Sequence, residues 1–179
     1  MLDATEPAGR QDLTIAQHVA SEGRALVICA NKWDQVTDKA ATHRALTHQI
    51  QTSLPQLRGI PLVACSALTG IGIEPMMAAV FTAYKQWGRY LPTAALNRWL
   101  AAVTAHHSPP LAKGRLVKIR YITQYATRPP RFTLFVNRPK NISDSYLRYL
   151  VNELRSSFNL AGVPIRLLTR AGKNPYTKD

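Results

Sequence analysis

Hydrophobic residues in the first half of the chain form short apolar runs separated by stripes at helical spacing. The runs ALVICA (25–30) and PLVACS (61–66) have the length and composition of buried strands. The helical stripes lie in residues 12–23, in Leu46, Ile50 and Leu54, and in Met77, Val80, Phe81 and Tyr84. We predict that Asp12 caps the first helix and that the residues of the last stripe share one helix face. Alternating strands and helices indicate an α/β fold with a parallel sheet, in which ligands bind beyond the carboxyl ends of the strands.

The pattern changes near Gly88 and Pro92, which mark a predicted boundary between domains at residues 1–88 and 89–179. Beyond it, Thr93 is predicted to cap a helix and Ser143 to open another. Between these helices LVKIRY and RFTLFVN alternate in polarity, and PIRLLTR follows the second helix, which predicts three strands. The predicted core positions of the first two strands are Val117, Ile119, Tyr121, Phe132, Leu134 and Val136. The predicted order is α-β-β-α-β, an open α+β sheet backed by helices.

Charge divides along the chain in the same way. The net charge is +13, yet residues 1–87 hold seven basic and seven acidic residues, whereas residues 88–179 hold sixteen basic and three acidic ones. A basic second domain indicates a polyanionic partner, and RNA is the commonest polyanion in the cytoplasm. The alternative is a basic surface that serves solubility alone.

The remaining composition is that of a cytoplasmic globular protein. No apolar run is long enough to cross a bilayer, and the start MLDATEPAGR is acidic where a signal peptide would be basic. We therefore predict no membrane partner. The two cysteines, Cys29 and Cys65, each end an apolar run and are interpreted as buried free thiols.

Polar residues follow both predicted strands of the first half. NKWD places Asn31, Lys32 and Asp34 after one strand, and SALTG places Ser66, Ala67 and Leu68 after the next. A carboxylate in the plane of guanine accepts hydrogen bonds from both N1–H and the 2-amino group, a pattern that adenine does not offer. We expect Asp34 to read these donors, the amide of Asn31 to face N7 and O6, Lys32 to cover the ring, and a backbone N–H of the second segment to meet O6.

These motifs are similar to the fourth and fifth motifs of translation-factor-class GTPases. DATEPAGRQDLTIAQHVASEGRALVICANKWD resembles the second GTPase domain of the Der (EngA) family of tandem GTPases, which act in ribosome assembly. KIRYITQYATRPPRFTLFVNRP and YLRYLVNELRSSFNLAGVPIRL resemble the C-terminal K-homology-like domain of that family. The resemblance implies GTP or GDP as ligand, upstream GTPase domains, and the ribosome, its large subunit and rRNA as partners.

The phosphate-binding motif of the family, G-x-x-x-x-G-K-[ST], does not occur in the sequence. The resemblance therefore implies that the chain is a C-terminal fragment, in which the partial P-loop GTPase domain keeps its base-reading half. Mg2+ would bind only to the intact protein. We expect millimolar or unmeasurable affinity of this chain for GTP and no hydrolysis, and we expect ALVICA to have an unpaired edge.

The second domain offers a basic surface with one aromatic residue. The sheet face opposite the predicted core would carry Lys118, Arg120, Thr133, Phe135, Arg166 and Arg170, and the last helix would expose Arg148, Asn152 and Arg155. Basic groups beside an aromatic ring suit a nucleic-acid backbone with a stacked base. The alternative for the sheet face is a docking surface for the GTPase domains.

The sequence lacks one motif of K-homology domains and contains one pair of adjacent histidines. No two of the nine glycines are three residues apart, so the G-x-x-G clamp of K-homology domains is missing and RNA contacts should be mainly electrostatic. His106 and His107 are interpreted as a solvated helix end rather than as a metal or catalytic pair.

Two hypotheses remain for the function of the chain: a part of a GTPase, and a nonenzymatic RNA- or ribosome-binding module.

Overall fold

The computed structural model of the protein describes residues 1–109, 111 and 116–171. The chain divides into two units. The first consists of Met1–Gly88 together with Leu160–Pro164, and the second consists of Arg89–Asn159 together with the chain from Ile165 onward. The sequence assigned Leu160–Pro164 to the second domain, whereas the structure groups this segment with the first unit.

The first unit is a three-stranded parallel sheet with α-helices between and after its strands. Its elements are β1 (Leu2–Asp3), α1 (Arg10–Ser21), β2 (Ile28–Asn31), α2 (Lys39–Ser53), β3 (Leu62–Ala64) and α3 (Ile73–Trp87). The strand order is β1-β2-β3, and all neighbours are parallel. The prediction of an α/β unit with a parallel sheet is therefore confirmed.

The central strand of this sheet is β2, because β1 pairs with it on one side and β3 on the other. Leu2 lies opposite Ala30 and Asp3 opposite Asn31. The expectation that ALVICA has an unpaired edge is therefore wrong at Ala30, whereas β1 does not reach Ile28 and Cys29. Leu2, only 8% exposed, supplies the apolar contact that a two-residue strand needs in order to stay on the sheet.

The first helix begins earlier than its pattern predicts. Gly9 is the N-cap of α1, and Asp12 is the third helical residue, whose carboxylate accepts a hydrogen bond from the Gly9 amide (3.1 Å). Asp12 therefore stabilises the helix start from inside the first turn rather than as its cap.

The apolar stripe of α3 faces solvent in this unit. The exposed fractions are 42% for Met77, 40% for Val80, 65% for Phe81 and 52% for Tyr84. The stripe forms one face of a helix, as the sequence predicts, but the described part of the chain leaves that face exposed. The periodicity correctly predicts an amphipathic helix, but it gives no information about what covers the apolar face of that helix.

The second unit has the predicted order α-β-β-α-β. Its elements are α4 (Thr93–His106), β4 (Ile119–Ala126), β5 (Arg131–Val136), a 3-10 turn (Pro139–Asn141), α5 (Asp144–Ser157) and β6 (Arg166–Ala171). The sheet order is β4-β5-β6, with β4 antiparallel and β6 parallel to β5. Ser143 caps α5 by accepting from the Tyr146 amide (3.3 Å), whereas Thr93 lies inside α4, whose N-cap is Pro92.

A bulge in β4 changes which residues of that strand face the core. The pairing with β5 shifts between Ile119 and Tyr121, so that Ile122 (1% exposed) is buried and Tyr121 (40% exposed) is not. An extra residue in one strand reverses the side-chain alternation that follows it. The prediction that Tyr121 faces the core is therefore wrong.

Helix α5 has one basic residue that its pattern placed incorrectly. Arg155 is 5% exposed, and its Nη1 donates to the side-chain oxygen of Asn152 (3.1 Å). The predicted exposed stripe on this helix therefore fails at Arg155, while Arg148 is exposed as expected. Among the described residues, no helix combines the length and the apolar character needed to cross a bilayer.

Candidate functional site

An open cavity of about 380 Å3 lies at the carboxyl ends of β2 and β3. Its lining consists of Asn31, Lys32, Asp34, Gln35, Ser66, Ala67 and Leu68. Because neighbouring parallel strands end at the same edge of a sheet, the two segments that follow them meet there. The structure thus brings together the six residues that the sequence nominated for base binding, and it adds Gln35.

The side chain of Asn31 connects the two segments. Its Oδ1 accepts a hydrogen bond from the Ala67 amide (2.9 Å), and the Trp33 amide donates to the carbonyl of Cys65 (3.0 Å). The Ala67 N–H is therefore used within the protein and is not available to a ligand. Asn31 positions the second segment.

Asp34 is carried by a tight turn after β2. The turn is closed by the Gln35 amide, which donates to the Lys32 carbonyl (2.9 Å), and Lys32 has a left-handed backbone with φ of 62°. Asp34 is exposed, and among the described residues no hydrogen bond or ion pair engages its carboxylate. The cavity therefore has an acceptor group with two oxygens that remain available to a ligand.

Lys32 forms an ion pair with Asp3, a residue that sequence reasoning did not nominate. The Lys32 Nζ lies 2.6 Å from the Asp3 Oδ2. Hydrogen bonds from Lys32 and from Thr5 lower the pKa of Asp3 to about 2, and the same ion pair raises the pKa of Lys32. The parallel register, which sets Asp3 opposite Asn31, puts this carboxylate beside the NKWD turn. The sequence signal was an acidic residue at the end of β1.

The second segment is a closed turn rather than a flexible loop. Ser66 is 1% exposed, its Oγ accepts from the Thr69 amide (3.2 Å), and its carbonyl accepts from the Gly70 amide (2.9 Å). Leu68 is 84% exposed at the cavity. Ser66 therefore shapes the turn, and Leu68 provides an apolar surface that a planar ligand can cover.

Two buried thiols lie beneath this site. The Sγ atoms of Cys29 and Cys65 are 3.0 Å apart, and Cys65 Sγ lies 4.0 Å from the Oδ1 of Asn31. Both cysteines are free, as the sequence predicts. Burial, together with the hydrogen bond between the two thiols, raises the pKa of Cys29 to about 12. The Cys65 thiol thus lies next to the Asn31 side chain, and the Cys29 thiol lies next to Cys65.

The basic candidates of the second unit lie in different places. The register sets Phe135 beside Arg170 and Arg131 beside Arg166, so that alternate β6 residues share the sheet face of Phe135. Lys118 precedes β4 and Arg120 lies at its bulge; both are exposed. Thr133 shares the face of Phe135 but is only 5% exposed.

The bulge adds an aromatic residue to this face. Tyr121 pairs with Phe135, and their rings stack with centroids 4.3 Å apart and planes 14° apart. Strict alternation assigned Tyr121 to the core, and a bulge leaves no clear signal in a single sequence. The exposed face therefore combines two stacked rings with Arg166 and Arg170.

Comparison with known proteins places both units. The KH-domain-like family of EngA bacterial GTPase enzymes, C-terminal, matches residues 91–170. GTPase Der of Parvibaculum lavamentivorans is 48% identical over 98% of this chain, and GTPase Der of Dinoroseobacter shibae is 49% identical over 98% of it. GTPase Der of Rickettsia africae is 48% identical, also over 98% of the chain. The chain spans between 36% and 40% of the length of these relatives.

The alignment with these relatives covers nearly the entire chain, so it includes the NKWD and SALTG segments as well as the C-terminal domain. The match of residues 91–170 is to a domain described as C-terminal. Residues 91–170 thus match the C-terminal domain of EngA GTPases, and the chain as a whole is similar to the C-terminal part of bacterial GTPase Der proteins.

Proposed function

We propose that the cavity at β2 and β3 binds the guanine base of GTP or GDP in the intact protein. The observation that carries this proposal is the exposed, unengaged carboxylate of Asp34 beside a turn that Asn31 holds in place through Ala67. A fixed carboxylate pairs with both N–H donors of guanine and leaves adenine with mismatched groups. Leu68 supplies an apolar surface beside the ring.

The nucleotide's phosphates and Mg2+ belong to the upstream segment in this proposal. The residues of this chain fit a base, since the cavity offers an acceptor pair and an apolar wall, and the phosphate motif is absent from the sequence. Mg2+ would stabilise the charge of the phosphates when bound to the intact protein. Asn31 and Asp34 would orient the base, and the chain alone would neither bind GTP tightly nor hydrolyse it.

The guanine proposal is tested by Asp34→Asn in an intact protein, made by joining this chain to the upstream part of the Dinoroseobacter shibae relative. An amide presents a donor where the carboxylate presented an acceptor. We expect affinity for GDP to fall about 100-fold. Xanthosine diphosphate, which carries a carbonyl in place of the 2-amino group, should bind the variant more tightly than it binds the parent protein. The measurement is calorimetric titration with GDP, xanthosine diphosphate and ADP.

The matched control is Glu22→Gln, which removes one exposed carboxylate far from the cavity along the chain and should leave GDP binding unchanged. An Asp34→Asn protein that still prefers GDP over ADP to the same degree would show that Asp34 does not read the base. In that case the proposed site is wrong even if the protein binds GTP elsewhere.

We further propose that the second unit contacts rRNA of the large ribosomal subunit during its assembly, which is a cytoplasmic process. Support comes from the sixteen basic against three acidic residues after residue 87 and from the sheet face with Tyr121, Phe135 and Arg170. The second candidate, a nonenzymatic RNA- or ribosome-binding module, rests on this surface alone. If the protein is a GTPase, guanine nucleotides should change ribosome binding by the intact protein. If it is a nonenzymatic binding module, they should not.

The upstream GTPase domain is the proposed partner of the apolar face of α3. The relatives are about two and a half times as long as this chain, so that polypeptide is available to cover Met77, Val80, Phe81 and Tyr84. An amphipathic helix on a partial sheet normally buries such a face against further strands. The intact GTPase domain would thus be completed on this side.

A further inference from the structure

A second cavity, of about 290 Å3, lies in the second unit where α4 ends and α5 begins. Its lining consists of His107, Ser108, Ser143, Ser145, Tyr146 and Tyr149. No residue of the Phe135 sheet face contributes to it. Its volume is near the lower end of the range for ligand pockets, which suits one planar ring system.

Three aromatic rings form the apolar part of this cavity. The ring centroid of His107 lies 5.8 Å from that of Tyr146, at 19° between planes, and 4.9 Å from that of Tyr149. The rings of Tyr146 and Tyr149 are 5.7 Å apart. These separations lie within the range at which aromatic rings attract each other, so the cluster is ordered before any ligand arrives.

The cluster is fixed from below and open from above. Tyr146 is 3% exposed, and its hydroxyl donates to the His107 carbonyl (2.8 Å), which ties the end of α4 to α5. His107 itself is exposed and Tyr149 is partly exposed. Tyr146 therefore acts as the floor, while His107 and Tyr149 present ring surface to solvent.

Hydroxyl groups surround the rings. Ser108, Ser143 and Ser145 are all exposed, and the Oγ atoms of Ser143 and Ser145 are 3.0 Å apart. Ser108 already donates to the Thr104 carbonyl (3.2 Å), and Ser143 accepts from the Tyr146 amide (3.3 Å). A hydroxyl oxygen can accept a further hydrogen bond, so these groups can meet a base edge without selecting one base. An aromatic platform with such a rim has the chemistry of a sequence-tolerant base-stacking site.

We propose that the His107–Tyr149 cavity accepts one unpaired nucleobase of single-stranded RNA. The inference rests on the proposed RNA binding by the second unit and deepens it, because it adds a base contact to an interaction that was expected to be electrostatic. The basic residues of this unit attract the phosphate backbone, and Arg148 is exposed next to Tyr149 in sequence. The rings then retain a base that backbone attraction brings close.

The first test compares two probes of equal length and charge on the full 179-residue chain. One is fluorescein-labelled hexa-adenylate, and the other is an abasic hexamer of ribose phosphate. We expect hexa-adenylate to bind at least fivefold more tightly, because stacking on an aromatic ring strengthens binding in this range per base. Fluorescence anisotropy at 50 mM salt measures both affinities.

Leucine substitutions locate the preference. Tyr149→Leu and His107→Leu keep apolar bulk but remove the ring, and each should bring the two probes within twofold of each other while binding of the abasic probe stays unchanged. The matched control is Tyr90→Leu, since Tyr90 is 62% exposed in the same unit but lies outside the cavity lining. It should keep the full preference.

Crosslinking of the unaltered chain gives a readout that does not depend on a variant's folding. A hexamer containing 5-iodouridine, irradiated in the complex, should attach to His107, Tyr146 or Tyr149. Crosslinks confined to Tyr121 and Phe135 would overturn the proposal that the cavity binds the base and would assign the base contact to the sheet face. Equal affinity for both probes would also overturn it while leaving electrostatic RNA binding intact, and no binding of either probe would overturn RNA binding as well.

Discussion

At the scale of single residues, Gly72 is the position where the backbone leaves the least room. Its φ is 80°, and a Cβ built on it would lie 2.1 Å from the Ala64 carbonyl oxygen and 2.9 Å from the Cys65 Cα. Both contacts are with backbone at the end of β3, which cannot move without displacing the candidate guanine site. Only glycine satisfies this position.

Gly72→Ala should therefore destabilise the first unit by about 2–3 kcal/mol, from backbone strain and steric overlap together. Urea denaturation followed by circular dichroism measures the loss. Gly70→Ala is the matched control, because Gly70 has nearly the same φ, 77°, and nothing within 4 Å of the added Cβ. Equal losses in the two variants would show that the overlap at Gly72 contributes nothing.

The Cys29 thiol makes a second prediction at this scale. Its pKa is about 12 in the folded chain against an ordinary value of 9.0. Because the folded state holds this proton more tightly, the protonated thiol stabilises the folded chain fully below pH 9. This stabilisation is lost as the pH rises from 9 toward 12. Between pH 8 and pH 10 the urea midpoint should fall further for the parent chain than for Cys29→Ala. Identical pH slopes would contradict a raised pKa at Cys29.

At the scale of elements, helix α3 has an apolar face that its own unit leaves exposed. Four large apolar residues at helical spacing are each at least 40% exposed: Met77, Val80, Phe81 and Tyr84. A contiguous exposed patch of this kind on a protein marks a binding surface or promotes association. The described part of the chain leaves this stripe exposed.

We accordingly expect the 179-residue chain to self-associate through α3. Phe81→Ser should shift sedimentation toward the monomer and reduce the fluorescence of a bound hydrophobic dye. Leu68→Ser serves as the control, since Leu68 is even more exposed, at 84%, but lies in the SALTG turn rather than on α3. If both substitutions have the same effect, association follows total apolar exposure and not this helix face.

Strand β4 shows how one added residue changes a surface. The bulge between Ile119 and Tyr121 reverses the alternation that LVKIRY suggests, so that Ile122 is buried and Tyr121 stacks on Phe135. Hydrophobic residues were therefore assigned correctly to the strand but incorrectly to its face. The exposed sheet face became more aromatic as a result, which favours contact with nucleic-acid bases.

At the scale of the whole molecule, the division of charge predicts how RNA binding depends on salt. If four groups such as Lys118, Arg120, Arg166 and Arg170 contact phosphates, affinity for an rRNA fragment should fall about 100-fold between 50 and 200 mM salt. Replacing Lys118 and Arg170 with glutamine should roughly halve the slope of this dependence. Lys85→Gln, in the first unit, should leave the slope unchanged. A flat salt response would exclude an electrostatic interface.

Much of this protein followed from its sequence. Local hydrophobic periods specified the parallel sheet of the first unit and the α-β-β-α-β order of the second, because each element must present an apolar face at its own spacing. Turn residues after two neighbouring strands also indicated that NKWD and SALTG would meet. Adjacent parallel strands leave them no other arrangement.

Tertiary structure decided the contacts that depend on partners distant in sequence. The ion pair of Lys32 with Asp3, the bond from Ala67 to Asn31 and the cluster of His107 with Tyr149 join segments that no local pattern relates. The sequence alone determined which helix faces are apolar and which segments are basic. Only the folded chain determined which of those faces are covered, since burial depends on what packs against a residue and not on the residue itself.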